Sequence, residues 1–299
     1  MEIPSQMMES LRDYLDEPTE GYWSNRELAN RLFQSSNRIV RKIGGIDPTF
    51  FLRTTNLTFV ADQPLYDLPR NARLGARWDH ALKKNSNGEV QGFVYESQVR
   101  DRVINDFVKV PATNSAFRLS LQDQQARITP APTTALSNAV EIAYVPVFGD
   151  LHEGSVSAAT STTLTFPATP DVYRTGSPSV YDDDYIGMLL VITAGTGVGQ
   201  IREITDYTGG TTLRATVESW GTTPDTTSTY AVVSPVPDDF HDVVVLDAAV
   251  AAAAKSTKRR FSEMLASLEF RSQEMYDWVG ERQTFRNLIV IPDLSAGVF

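Results

Sequence analysis

Asp182-Asp183-Asp184 sets three carboxylates in a row, oxygen ligands of the kind that hold calcium when they alternate and a closing Glu follows. Neither condition is met, so the run reads as a solvated acidic loop. Gly195-Thr196-Gly197-Val198-Gly199 has the composition of a phosphate-cradling loop. The dinucleotide fingerprint also needs a further glycine and an opening helix, and no Gly-Lys-Ser/Thr follows for a phosphate loop. Gln200-Ile201-Arg202-Glu203-Ile204 instead continues as strand, which makes the glycines a hairpin using positive-φ positions. His80, His152 and His241 lack ligand-like spacing, which argues against zinc or a His-activated nucleophile. No Gly-x-Ser-x-Gly elbow occurs, and Asp238-Asp239 fits the positive end of a helix better than an acid/base pair. Lys258-Arg259-Arg260 reads as a solvated helix face, or as a contact with an acidic neighbour or passing DNA. No catalytic, cofactor or metal constellation emerges, and the chain is not expected to be an enzyme.

Bulk composition narrows the class. With no cysteine in 299 residues, disulfides and thiolate metal sites are excluded. The amino end, MEIPSQMMES, lacks the apolar core of a secretory signal. The run Val243 to Ala254 contains Asp247 and falls short of the roughly 20 residues that cross a bilayer, so no membrane anchor is expected. Net charge is −10, and Gly149 to Ser234 holds ten acids against three bases. Such a segment repels phosphates. A protein that surrounds sliding DNA without gripping it remains compatible with that charge.

The elements follow from periodicity. Met7, Met8, Leu11 and Leu15 recur at helical spacing, and the element stops before Pro18. Ser24-Asn25-Arg26-Glu27 is a capping box that opens a second helix carrying Leu28, Leu32, Ile39 and Ile43, with Gly44-Gly45 as the expected stop. From Phe50 the period becomes two: Leu57 and Phe59, then Phe117, Leu119 and Leu121, then Val140, Ile142 and Tyr144 read as half-buried antiparallel strands. Residues 70–110 are ambiguous, with strands conceivable at Gly75 to Leu82 and Gly92 to Tyr95.

Pro146 and Pro235 bracket a Thr-rich acidic stretch with its own strands, entered through Leu164 and Phe166 and left through Tyr230 and Val232. It reads as a small all-β domain inserted into a host. The expected division is 1–148 for the first part of the host, 149–234 for the insert, and 235–299 for a long helix plus tail. That last helix begins with VVVLDAAVAAAAK, apolar on most sides, and turns amphipathic through Phe261, Leu265 and Leu268. Unbroken, it would run about 45 residues or roughly 65 Å. Either it breaks near Lys258 or the molecule belongs to a larger assembly. The fold class is therefore α+β: a bundle from amino-terminal helices and a long carboxy-terminal helix, antiparallel β-structure between them, and the inserted β-domain.

The string from Gly195 through Gln200, Arg202 and Tyr207, then Ala215-Thr216-Val217, Trp220, Pro224-Asp225 and Thr227-Ser228, resembles a module of tailed-bacteriophage structural proteins. Glu27-Leu28-Ala29-Asn30, Tyr66-Asp67-Leu68-Pro69, Ala126 to Pro132, Val140 to Tyr144 and Pro237 to Asp242 widen that likeness. As a whole the chain resembles the phage head-to-tail adaptor, or connector, family. The inserted β-domain departs from the family pattern, since not every adaptor carries one.

The resemblance implies a virion protein at the head-tail junction, assembled in the bacterial host cytoplasm. It implies a homo-oligomeric ring, a dodecamer by analogy, between the portal protein above and tail nozzle, tube or fibre proteins below, with DNA passing through its lumen. Val243, Val244, Ala248, Ala251, Ala252, Phe261, Leu265 and Leu268 would then pack against neighbouring helices. The tail residues Leu288, Ile289, Val290, Ile291, Leu294, Val298 and Phe299 would add a strand to the portal, or else fold back on the chain's own bundle. A second reading is a tail-tip or baseplate component whose β-domain binds a host-surface glycan. A third, a wall-degrading enzyme, has no constellation to rest on.

Overall fold

The computed structural model describes residues 1–47, 49–72, 80–85, 87–94, 117–122, 125–168, 178–254 and 261–286, and the chain is α+β. Helix α1 (Pro4–Tyr14) begins on a proline, tolerated there because the first-turn N–H has no intrahelical partner anyway. Its Met7, Met8 and Leu11 are buried. Helix α2 (Asn25–Ile46) opens with the capping box: Glu27 N–H donates to Ser24 Oγ at 3.3 Å, and Ser24 N–H donates to Glu27 at 3.2 Å. The stop expected at Gly44-Gly45 is not used. Both glycines lie inside α2, which ends at Asp47 in an extended conformation (φ −119°), as a residue before proline prefers. The Asp47 carboxylate then accepts from the N–H and hydroxyl of Thr49 at 2.9 and 2.7 Å, which redirects the chain.

Two small antiparallel sheets follow. One has the order β1 (Arg53–Phe59), β7 (Leu136–Tyr144), β3 (His80–Lys84), β4 (Val90–Phe93). The other runs β2 (Leu65–Asp67), β6 (Gln125–Thr129), β5 (Arg118–Gln122). They share one apolar cluster built on Leu57, Phe59, Tyr66, Leu119, Ile128, Val140 and Ile142. β1 alternates as expected. β7 does not: Ala139, Val140, Ile142, Ala143 and Tyr144 are all buried, because the strand is flanked on both edges and covered on both faces. The conceivable strand at Gly75 to Leu82 is described only from His80 onward.

The next seven strands make one sheet, ordered β8 (His152–Ser155), β14 (Thr229–Val233), β11 (Leu189–Ala194), β12 (Ile201–Thr208), β13 (Arg214–Val217), β10 (Thr163–Thr165), β9 (Ala158–Ala159). The entering strand is β8, not the Leu164 segment expected from sequence. β8 pairs directly with the exit strand β14, Val232 opposite His152, so the two ends of this stretch lie side by side. Its core stacks aromatics, with Phe166 4.7 Å from Tyr230 and Tyr185 4.7 Å from Tyr207 between ring centroids. Each such pair adds about 0.5–1.5 kcal/mol beyond area burial.

The carboxy-terminal region forms two helices, α3 (His241–Ala253) and α4 (Phe261–Arg286), rather than one long rod. Arg271 of α4 reaches back to Asp242 at the start of α3, and Trp278 packs on Phe240 at 5.6 Å, so the helices run side by side in opposite directions. α3 is the central helix, packed against α1, α2 and α4. Close approach to α2 comes from small residues whose hydroxyls are paired: Ser35 donates to Val244 O at 2.6 Å and Ser36 meets Ser234 at 2.7 Å. The mid-helix acid, Asp247, is held by Arg38 at 2.6 Å. The helices and the seven-stranded sheet share one continuous apolar cluster.

Candidate functional site

The glycine- and threonine-rich string that carries the strongest resemblance is a clasp between turns. Gly195 (φ +78°) lies so close to the 227–228 backbone that a Cβ would sit 2.4 Å from Thr227 O. Gln200 ties this hairpin to the turn after Trp220. Its Oε1 accepts from Gly221 and Thr222 N–H at 2.8 and 3.2 Å, and its Nε2 donates to Gly197 O and Thr222 O at 3.0 and 2.7 Å. Asp225 ties it a second time, accepting from Thr196 Oγ1 at 2.8 Å and from Thr227 N–H at 2.8 Å. These bonds to Thr227 and Thr196 hold the Asp225 carboxyl below its usual range. The motif's polar side chains are thus spent on turn geometry.

The acidic run is structural in the same sense. Asp182 Oδ1 accepts from Gly209 N–H at 2.8 Å, Asp184 accepts from the Ser179 hydroxyl, and Asp183 accepts from the Arg70 backbone N–H. Burial raises the carboxyls of Asp183 and Asp184. Gly149 lies against this loop, where a Cβ would come within 2.6 Å of Asp184 O. That close approach draws Asp150 near enough for its charge to act on Asp184. His152 is buried with Nδ1 2.8 Å from Tyr230 OH, and His241 is buried with Nε2 3.0 Å from Val236 O. Among the described residues, no group of three or more His, Asp or Glu is arranged to hold a metal.

The assembly residues expected on α3 and α4 divide. Val243, Val244, Ala248 and Ala252 are buried, but by α1, α2 and α4 of the same chain. Contacts within the chain's own bundle therefore account for their burial. Ala251 and Phe261 are half-buried, Leu268 is nearly covered, and Leu265 is 36% exposed. Lys258, Arg259 and Arg260 lie outside the described residues, as does the tail with Leu288, Ile289, Val290, Ile291, Leu294, Val298 and Phe299.

The helical layer also presents exposed charges not recognised from sequence. On α2, Arg26, Arg41 and Lys42 are exposed, as is Glu27, at separated points around and along the helix. On α4, Glu269, Glu274, Asp277 and Glu281 are exposed around Phe270, itself 66% exposed. Helical spacing around the buried Leu28, Leu32 and Ile39 and the buried Met275 and Val279 would have located both. No helix among the described residues is long and apolar enough to cross a membrane. No protein-family model matches the chain, and no curated protein sequence matches it.

Proposed function

We propose that this chain is a structural protein of a tailed-phage particle, a head-to-tail adaptor whose copies form a ring between portal and tail. The observation that carries the reading is the way the chain closes. Its first two and last two helices pack into one layer, while the β-structure is strung between them in sequence and the seven-stranded sheet occupies the β7-to-α3 connection. The helical layer with β-structure between its two halves is the arrangement the family resemblance implies; the seven-stranded sheet is an addition to it.

The acidic α4 face supports the same reading. A ring is built from heterologous contacts, in which one patch of a subunit meets a different patch of the next. The acidic α4 face around Phe270 is one such patch, and a charge-complementary patch on the next copy would steer association and fix register. The charge of −10 suits a lumen that does not hold DNA. In this proposal the tail from 287 to 299 reaches the portal as an added strand, and tail nozzle, tube or fibre proteins dock on the opposite side. Deleting 287–299 should leave a folded protein that no longer co-sediments with portal rings. Co-sedimentation at full-length affinity would rule the docking role out.

A further inference from the structure

Strand β1 (Arg53–Phe59) is an edge of its four-stranded sheet, and among the described residues only β7 pairs with it. That pairing is regular from Arg53 to Leu57, before it shifts near Phe59. Thr54, Asn56 and Thr58 are exposed along the strand. The outer N–H and C=O groups of such an edge form a template for another extended segment, and folded chains usually cover it or blunt it with charge or proline. β1 has no proline, and its single charge, Arg53, is engaged by Glu203 at 3.0 Å. The edge is therefore open to a strand.

The end of α4 points to which strand that is. Trp278 packs 6.0 Å from the Phe50 ring, and Arg282, one turn later, lays its guanidinium carbon 4.7 Å from the same ring centroid. Phe50 stands just ahead of Arg53 in sequence, so the segment after Arg286 leaves α4 close to the first residue of β1. Residues 287–299 reach about 43 Å when extended, whereas the regular register of β1 spans about 17 Å. That is enough chain to turn and still lie along the edge. Leu288-Ile289-Val290-Ile291 suits it in composition: all but Leu288 are β-branched, and Pro292, which lacks an N–H, marks where pairing ends.

We propose that residues 288–291 of the same chain pair with the outer edge of β1, adding a strand to that sheet in the free protein. The pairing does not rest on the adaptor reading; a portal that captured this segment would take it from β1. The chain has no cysteine, so introduced pairs are the only thiols. Ile289→Cys and Val290→Cys, whose side chains fall on opposite faces of a strand, are each combined with Thr54→Cys, Asn56→Cys or Thr58→Cys in the full chain and oxidised in dilute solution. A disulfide requires Cα atoms about 4.4–6.8 Å apart, so a bond within one chain is expected in at least one combination. Val198→Cys, at an exposed position of the 195–199 hairpin, is the control partner. Amide exchange across Arg53 to Leu57 is also expected to quicken about tenfold or more when 287–299 is deleted. The disulfide scan decides the matter if the truncated chain fails to fold. Links that form only between chains would put a second copy on the edge and overturn the proposal. Links to β1 no faster than to Val198→Cys, or exchange unchanged in the folded truncated chain, would overturn it equally.

Discussion

Arg271 of α4 holds Asp242 of α3 in a two-point grip, Nε to Oδ2 at 2.6 Å and Nη2 to Oδ1 at 3.1 Å. The two residues are 29 apart in sequence, a separation of about 44 Å along one straight helix. The pair therefore belongs to a helical hairpin, with Arg271 also donating to Asp239 O at 3.0 Å across the mouth. Both side chains are about a third exposed, so solvent screening limits their worth. Arg271→Ala should cost about 1 kcal/mol in urea melts, with a coupling to Asp242→Asn of roughly 0.5–1 kcal/mol in a double-mutant cycle. Additive losses would mean that the grip contributes nothing.

Positions on α3 should differ sharply according to which side they face. Ala248 is fully buried, whereas Ala251 is half-buried. Ala248→Glu places an unpaired carboxylate in the core and should destabilise the chain by about 3 kcal/mol or more. Ala251→Glu should cost less than about 1 kcal/mol, because its carboxylate can reach water. Equal losses in chemical denaturation would contradict the placement of α3.

Gln200 should matter more than its polar, partly exposed character suggests. Gln200→Ala removes the hydrogen bonds that join the hairpin to Gly221 and Thr222, and should cost roughly 1–2 kcal/mol. Hydrogen exchange should quicken at Gly221 and Thr222 first. Unchanged exchange there would show that the clasp is not what holds the turns.

Asp183 makes stability depend on pH in an unusual direction. Burial raises its carboxyl above the ordinary 3.8, the Arg70 backbone N–H partly offsets this, and the charges of Asp206, Asp182 and Asp184 add to the rise. The folded state thus binds this proton more readily than the unfolded state. The contribution is fully present below 3.8 and is lost as pH rises through the higher folded value. Asp183→Asn should stabilise the chain at pH 7 and have no effect near pH 3. Asparagine suits the site, whose φ is +67°. Equal shifts of the melting temperature at both pH values would contradict the assignment.

Residues 150–234 should fold when expressed alone. Their strands pair with one another, β8 and β14 bring the two ends together, and Phe166, Tyr185, Tyr207 and Tyr230 supply an aromatic core. A β-type circular dichroism spectrum with a cooperative melt is expected. A disordered fragment would show that the apolar cluster shared with the helices is required.

Local signals were legible in the sequence where a few neighbouring residues decide the outcome. Ser24 with Glu27 foretold a capping box, and Gly195 to Gly199 foretold a hairpin, because both answers lie within one turn. Gly44-Gly45 misled, since glycine permits a helix stop without requiring one, and Asp47 before Pro48 supplied a stronger stop. β7 misled because alternation records one buried face, and small Ala139 and Ala143 hid the second. β8 was missed for want of apolar periodicity in His152 to Ser155. Gly149 and Asp184 come together from distant segments, and no local pattern encodes that meeting.

The central claim is assembly into a ring, and negative-stain imaging of the purified full chain with mass photometry tests it most directly. Closed rings with a central opening are expected, weakened by salt because the acidic α4 face takes part in the subunit contact. Charge reversal at Asp277 and Glu281 should release monomers that retain their circular dichroism. A strictly monomeric particle across concentration and salt, or rings indifferent to these reversals, would contradict the account.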